Sequence, residues 1–300
     1  MRIATTQYHA TMNTALQTAN TGLTQVMQQM ASGQRVMKPS DDTIATVRLA
    51  RLTREEAALK QYRDNVGALK TRLQTNEVTL DSMEKDLMMA RDLMVWAADG
   101  ANTPADLKAM STSLEALRDS LFYSANSKNA EGKFLFSGTA SDVDTVVDTG
   151  AAAPGRYADG TGINSGTQDV SVGDGVSVAA NVALQPFGMA AFLNQLDDTA
   201  QRFKNGSYTP TTASTMLQDI DTMLGHITGQ IGALGGRQNV LQTLDDNHAS
   251  VSLANKQASI ELGQLDYGEA AVRLNSYTLA VQATQKAYAR VSNLSLFNAL

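Results

Sequence analysis

An apolar residue returns at every seventh position through Leu52, Leu59, Val66, Leu73, Leu80, Leu87 and Met94. Three residues on, Tyr62, Leu69, Met83, Ala90 and Ala97 fill a companion register, with Asn76 its one polar break. Four residues on, Glu56, Arg63, Lys70, Glu77, Glu84 and Arg91 are all charged. This is a heptad helix with an apolar seam and a charged flank. From Leu52 to Met94 it runs roughly 63 Å at 1.5 Å per residue. A rod of that length fits an extended structural subunit better than a compact enzyme, and the first register is read as the rod seam.

Composition narrows the class. With 300 residues and 43% hydrophobic side chains the chain can bury a real core, divided among one to three domains. It has no cysteine, so disulfides, thiolate metal sites and thiol nucleophiles are unavailable. A net charge of −6 argues against general binding to nucleic acid or anionic membranes, and lysine and arginine are dispersed rather than striped. The start, Met-Arg-Ile-Ala-Thr-Thr-Gln, lacks the apolar core of a secretory signal, and no apolar run approaches the ~18 residues of a membrane span. These cues alone predict a soluble cytoplasmic chain.

The prolines mark boundaries. Pro39-Ser40-Asp41-Asp42 makes a helix start, with Ser40 expected to cap and two carboxylates at the positive helix end. Thr103-Pro104-Ala105-Asp106 repeats the device with proline at the first helical position. Helices are therefore predicted over 40–99, 104–126, 188–204 and 212–262. Leu107, Leu114, Leu117 and Leu121 stripe the second, while Gly225, Gly229, Gly232, Gly235 and Gly236 weaken the last.

Residues 137–190 differ in character. They hold seven glycines between Gly150 and Gly175, with alternating pieces at Asp169-Val170-Ser171-Val172 and Val176-Ser177-Val178 that read as short strands. Phe134-Leu135-Phe136 reads as a strand leading in. Six aspartates against the single Arg156 place nearly all the net charge here, as expected of an exposed module facing solvent.

The two ends are alike in kind. Met12, Leu16, Ala19, Leu23, Val26 and Met30 follow a 4-3-4-3-4 spacing, and Leu274, Tyr277, Val281, Thr284, Tyr288 and Val291 follow 3-4-3-4-3. Up to Ala31 the only charged side chain is Arg2, and beyond Ala270 there are only Arg273, Lys286 and Arg290. Helices with so little charge on their backs are marginal alone, so the two stripes are expected to be an assembly interface that orders on association. The expected fold class is mainly α: an elongated, heptad-rich helical bundle from both chain ends with a small β-rich inserted domain. Its parts are a terminal coiled-coil assembly region (1–34 plus 265–300), a long-helix rod (35–138 plus 188–264, with a β-hairpin near 131–138) and the insert (139–187).

No arrangement for chemistry emerges, and neither catalytic residues nor a metal or cofactor are expected. His9, His226 and His248 are scattered without ligand spacing. Gly160-Thr-Gly162-Ile-Asn-Ser-Gly166 has one residue too many for a dinucleotide loop. Asp142, Asp144 and Asp148 lack the central glycine and final glutamate of a calcium loop and read as solvated carboxylates. Met88, Met89, Met94 and Trp96 sit at helical spacing and read as core.

Three blocks carry a resemblance. Ala31-Ser32-Gly33-Gln34-Arg35-Val36-Met37-Lys38-Pro39-Ser40-Asp41-Asp42, then Glu131-Gly132-Lys133-Phe134-Leu135-Phe136-Ser137-Gly138-Thr139, then Leu265-Asp266-Tyr267-Gly268-Glu269-Ala270 with Ser295-Leu296-Phe297-Asn298-Ala299-Leu300 resemble motifs of the flagellin superfamily. The matches cover roughly 1–140 and 190–300. The Pro-Ser-Asp-Asp form points toward the hook-associated branch; filament flagellin or another flagellar axial protein is the alternative. The resemblance implies a structural subunit at the junction of hook and filament, exported unfolded by the flagellum's own type III apparatus without a cleaved signal peptide. That replaces the cytoplasmic expectation with an extracellular one. It further implies copies of the chain itself, an adjacent hook-associated protein and flagellin as partners, and an export chaperone on the C-terminal segment. The terminal stripes become subunit contacts.

Overall fold

The computed structural model describes residues 2–99 and 101–297, with side chains over 6–99 and 101–290, and among these described residues six α-helices carry the fold. They are α1 (Arg2–Ser32), α2 (Thr43–Ala98), α3 (Pro104–Ala125), α4 (Met189–Lys204), α5 (Pro210–Gly263) and α6 (Tyr267–Phe297). Four short strands lie between α3 and α4: β1 (Val146–Asp148), β2 (Tyr157–Asp159), β3 (Asp169–Gly173) and β4 (Val176–Ala179). The chain divides into two units, one of residues 1–58 with 250–300 and one of residues 59–249.

In the larger unit the heptad reading holds. Leu59, Val66, Leu73, Leu80, Leu87 and Met94 are buried, as are Leu69, Met83, Ala90 and Ala97 of the companion register. Their counterpart is a stripe on α5 that also steps by sevens, Ala213, Ile220, Ile227, Leu234 and Leu241, with Met216 and Met223 beside it. The charged flank of α2 reaches α5 once in every heptad in this unit. Arg63 Nε donates to Asp245 Oδ1 at 3.1 Å and Lys70 Nζ to Gln242 Oε1 at 2.9 Å. Glu77 accepts from Gln238 at 2.6 Å, Glu84 from Thr228 at 3.2 Å, and Arg91 pairs with Asp221 at 2.7 Å. Numbers rise on one helix as they fall on the other, so the two run antiparallel here.

The five glycines do not break α5. A Cβ at Gly225, Gly229, Gly232, Gly235 or Gly236 would meet nothing within 4 Å. They sit on the outer face, and burial of the stripe opposite them outweighs a helix cost of about 1 kcal/mol for each.

The helix starts follow their caps, with one change. Thr103 and Asp106 form a reciprocal capping box at α3, with Pro104 in its first turn. At α2 the cap is Asp42, not Ser40: Asp42 Oδ1 accepts the Ala45 amide at 2.9 Å. Asp41 folds the preceding residues into a turn by accepting the amides of Met37 and Lys38 at 3.1 and 2.9 Å, which carries Ser40 away from the helix end.

The expected strand at Phe134-Leu135-Phe136 does not form. These three buried residues bond to three different segments: the Phe134 amide to Ser141 O, the Leu135 amide to Ser127 O, and Phe136 O accepts from Leu184. Nor does 139–187 stand apart as an exposed module. β1 pairs antiparallel with β2, and β3 with β4 around a bulge between Ser171 and Gly173. Val146, Tyr157, Val172, Val182 and Leu184 join the core of the helices. Asparagines finish these minimal sheets. Asn126 and Asn194 each exchange two hydrogen bonds with the backbone, at Val146 and Tyr157, in place of a neighbouring strand. Asn65 and Arg72 of α2 donate to Ser171 O and Gln168 Oε1 at 2.8 and 2.7 Å, tying the β3–β4 hairpin down.

Two substitutions test the seam. Leu73→Asp buries an unpaired charge at a fully covered site and is expected to cost at least about 3 kcal/mol in urea unfolding; unchanged unfolding would show Leu73 to be uncovered. Gly232→Ala is expected to raise stability by about 0.5–1 kcal/mol, since nothing near the helix resists the added methyl. A loss of stability would place an unseen neighbour there.

Candidate assembly site

The smaller unit brings the two chain ends together. Gly33, at φ 69°, turns the chain out of α1, where it meets the exit of α5. Leu265 donates its amide to Gly33 O at 3.0 Å and Arg35 to Gly263 O at 2.8 Å, so two connections far apart in sequence pair as one antiparallel rung. The Arg35 guanidinium then bridges, donating to Asp42 Oδ2 and to Leu262 O, both at 3.0 Å. Gln29 Nε2 donates to Arg35 O at 2.7 Å. Tyr267 Oη donates to Met30 O at 3.3 Å. The motif around Gly33-Gln34-Arg35 and the motif around Leu265-Asp266-Tyr267 thus form a single clasp. In the same unit, Glu56 accepts from Ser252 Oγ at 2.6 Å and pairs with Lys256 at 3.3 Å.

Asp42 is held below its ordinary carboxyl value of 3.8, chiefly by the Ala45 amide and then by Arg35. A depressed carboxyl contributes stability that is present above the unfolded value and is lost as pH falls through the folded one.

Beyond the clasp α1 packs against α6. Val26, Leu265 and Ala270 form a small core with Met30, Leu274 and Tyr277 against it. Met12, Leu16 and Leu23 are half-buried and Ala19 buried on α1, while Val281 and Thr284 are half-buried on α6. Tyr288 is more exposed, its ring meeting that of His9 edge-on at 5.3 Å. Val291 and the end of the 295–300 motif lie outside the described side chains. Within one chain the stripes expected as subunit contacts face each other in the α1–α6 pair. Two apolar stripes on one chain find each other at a far higher effective concentration than a neighbour's. A close approach marks the pairing, since a Cβ on Gly22 would lie 2.6 Å from Cζ of Tyr277.

The back of the pair carries hydroxyls bonded within their own helix. On α1 the hydroxyls of Thr11, Thr14, Thr18, Thr21 and Thr24 each donate to the carbonyl four residues earlier, at 2.9 to 3.0 Å. On α6 the exposed Ser276 does the same. These hydroxyls already have an acceptor, so covering the helix backs leaves none of them without a partner. No charge would be desolvated along α1 either, because its only charged side chain is Arg2. The missing charge was noted in the sequence; the row of hydroxyls was not. The threonine spacing was the available signal.

The remaining candidates settle into structural places. Of the seam residues, Leu52 is half-buried in the smaller unit and the other six are buried. Asp148 is bound by Arg156 and Asp142 by Lys133, so these carboxylates are engaged with cations. His226 stacks on Phe187 at 4.8 Å and His248 lies beside Tyr62. Met94 is core, but Met88, Met89 and Trp96 are half or more exposed, against expectation. They lie on the α2 face away from the α5 stripe, where the heptad turns outward.

A family model described as the bacterial flagellin N-terminal helical region matches residues 3–141. The chain is similar to a Vibrio parahaemolyticus structure assigned to a flagellar hook-associated protein, with 33% identity over 75% of this chain and 100% of that one and a TM-score of 0.69. It is 25% identical over 293 residues to flagellar hook-associated protein 3 of Escherichia coli K12, covering 90% of each chain. A Legionella pneumophila hook-associated protein-3 structure shares the fold at 14% identity and a TM-score of 0.60, over 71% of this chain and 99% of that one.

Two outcomes follow. Gly22→Ala is expected to displace Tyr277 and speed hydrogen exchange in α1, with Tyr277→Leu in the same chain restoring it; unaltered exchange in Gly22→Ala would refute the close pairing. Acid titration below pH 3.8 is expected to loosen the clasp, and Asp42→Asn to remove that part of the pH dependence. An identical acid profile in the variant would show that Asp42 has no part in it.

Proposed function

We propose, for a chain that belongs to the flagellin superfamily and within it to the flagellar hook-associated proteins, a structural role at the junction of hook and filament, in which the paired terminal helices are the assembly element. The observation that carries the assembly mode is the charge-free back of α1, whose hydroxyls are satisfied within the helix. Such a surface gains from burial of its methyl groups and loses little by dehydration. The apolar stripes hold α1 to α6, and the backs of that pair meet neighbouring copies.

The remaining parts of the reading come with the family. Partners are further copies of this chain, an adjacent hook-associated protein on one side and flagellin on the other. Export runs unfolded through the flagellar type III apparatus to the cell exterior, with a chaperone on the C-terminal segment before export. The rod over 35–138 and 188–264 and the residues 139–187 form the part outside the terminal pair.

Thr14→Lys with Thr21→Lys tests the assembly face. Both sites are exposed, so the chain is expected to fold and be exported, yet to be missing from purified flagella and recovered from the medium. Incorporation at the unmodified level would overturn the assignment of that face. Gold labelling of intact flagella is expected to mark one narrow band at the filament base; label along the whole filament would make the chain a filament subunit instead.

A further inference from the structure

The exposed Met89 and Trp96 line a groove that the fold leaves open. α2 and α3 enclose about 670 Å³ between Asp86, Met89, Asp92, Leu93, Trp96 and Leu117, with Ser113, Ala116 and Ser120 along the α3 side. Met89 and Trp96 each expose half or more of their surface. The lining has two carboxylates and no cation. Asp86 accepts from Ser120 Oγ at 2.6 Å, while Asp92 is exposed. Scattered single apolar residues on a surface need no explanation, but exposed apolar side chains gathered in one groove do.

A surface of matching character lies on the first turns of α2, in the other unit. Ile44 and Val47 are each 67% exposed, and Arg48 and Arg51 are exposed beside them. Steps of three, four and seven residues put all four on one helix face. Neither arginine has an ion pair among the described residues. This face is apolar and cationic where the groove is apolar and anionic.

We propose that the groove between α2 and α3 receives the Ile44–Val47–Arg48–Arg51 face of a second copy of this chain. The contact rests on reading the chain as an assembling subunit, and it is separate from the terminal pair. Two apolar side chains enter beside Met89 and Trp96 while the arginines meet the exposed Asp92; Asp86 is buried and already holds Ser120. Charge complementarity selects the occupant, because a second groove would bring carboxylates together and a second α2 start would bring arginines together. Each copy contributes a different surface, so the contact is heterologous and leaves one of each surface free for the next copy.

The absence of cysteine makes the test clean. Val47→Cys and Met89→Cys are expressed together, each in its own full-length chain, and flagella are oxidised mildly after isolation. A disulfide forms only if the two Cα atoms approach within about 7 Å. A linked dimer is expected from the mixture and none from either variant alone. Adding Asp92→Arg to the Met89→Cys chain is expected to abolish the dimer, and adding Arg48→Asp and Arg51→Asp to its partner to restore it. Flagella that contain both variants but yield no dimer overturn this contact and leave the terminal-helix reading intact. Absence of the unsubstituted chain from flagella overturns both. A cysteine-to-amine cross-linker that joins Met89→Cys to some other flagellar subunit would also overturn the self-contact.

Discussion

The seam between α2 and α5 is what the larger unit depends on. Its apolar stripes supply the stability, at about 1.5–3 kcal/mol for each fully buried large side chain. The charged flank beside it adds far less, since exposed ion pairs contribute about 0–1 kcal/mol each. Its role is alignment: Arg63, Lys70, Glu77, Glu84 and Arg91 each meet a polar partner on α5 only in the observed register. Asn76 supports the same reading. It is fully buried with neither amide atom bonded, a cost in stability of the kind that fixes register in heptad helices.

Given that seam, the other parts find their places. α3 and α4 pack on each other, and Arg118 of α3 pairs with the buried Asp197 of α4 and with Asp119. A buried pair like this is weak as a source of stability but costly to break, so it fixes how the two helices meet. The strands are too short to form independent sheets, and they borrow edges from asparagine side chains and a floor from the helical core. In the smaller unit, a clasp built on Arg35 ties the exits of α1 and α5, which lets α1 and α6 lie against each other.

Much of this was legible in the sequence because period and caps are local signals. The α2 seam, the box at Thr103 and the strands near Asp169 and Val176 all follow from residues close together in the chain. The failures were nonlocal. Phe134-Leu135-Phe136 carries a strand-like composition, but each residue bonds to a different distant segment. The acidic, glycine-rich composition of 139–187 gave no sign that Val146, Tyr157 and Val172 would enter the helical core. The terminal stripes were legible as buried faces, but periodicity does not say what buries them, and within one chain they meet each other. The heptad stripe on α5 was obscured by its glycines, which lie on the opposite face.

The central claim is that this chain joins the filament to the hook. It is tested most directly by electron microscopy of cells lacking the chain, with flagellin assayed in the medium. The account predicts bare hooks together with abundant soluble flagellin outside the cell. Intact filaments on those hooks would contradict it, and bare hooks with no flagellin anywhere would make the chain the filament subunit itself.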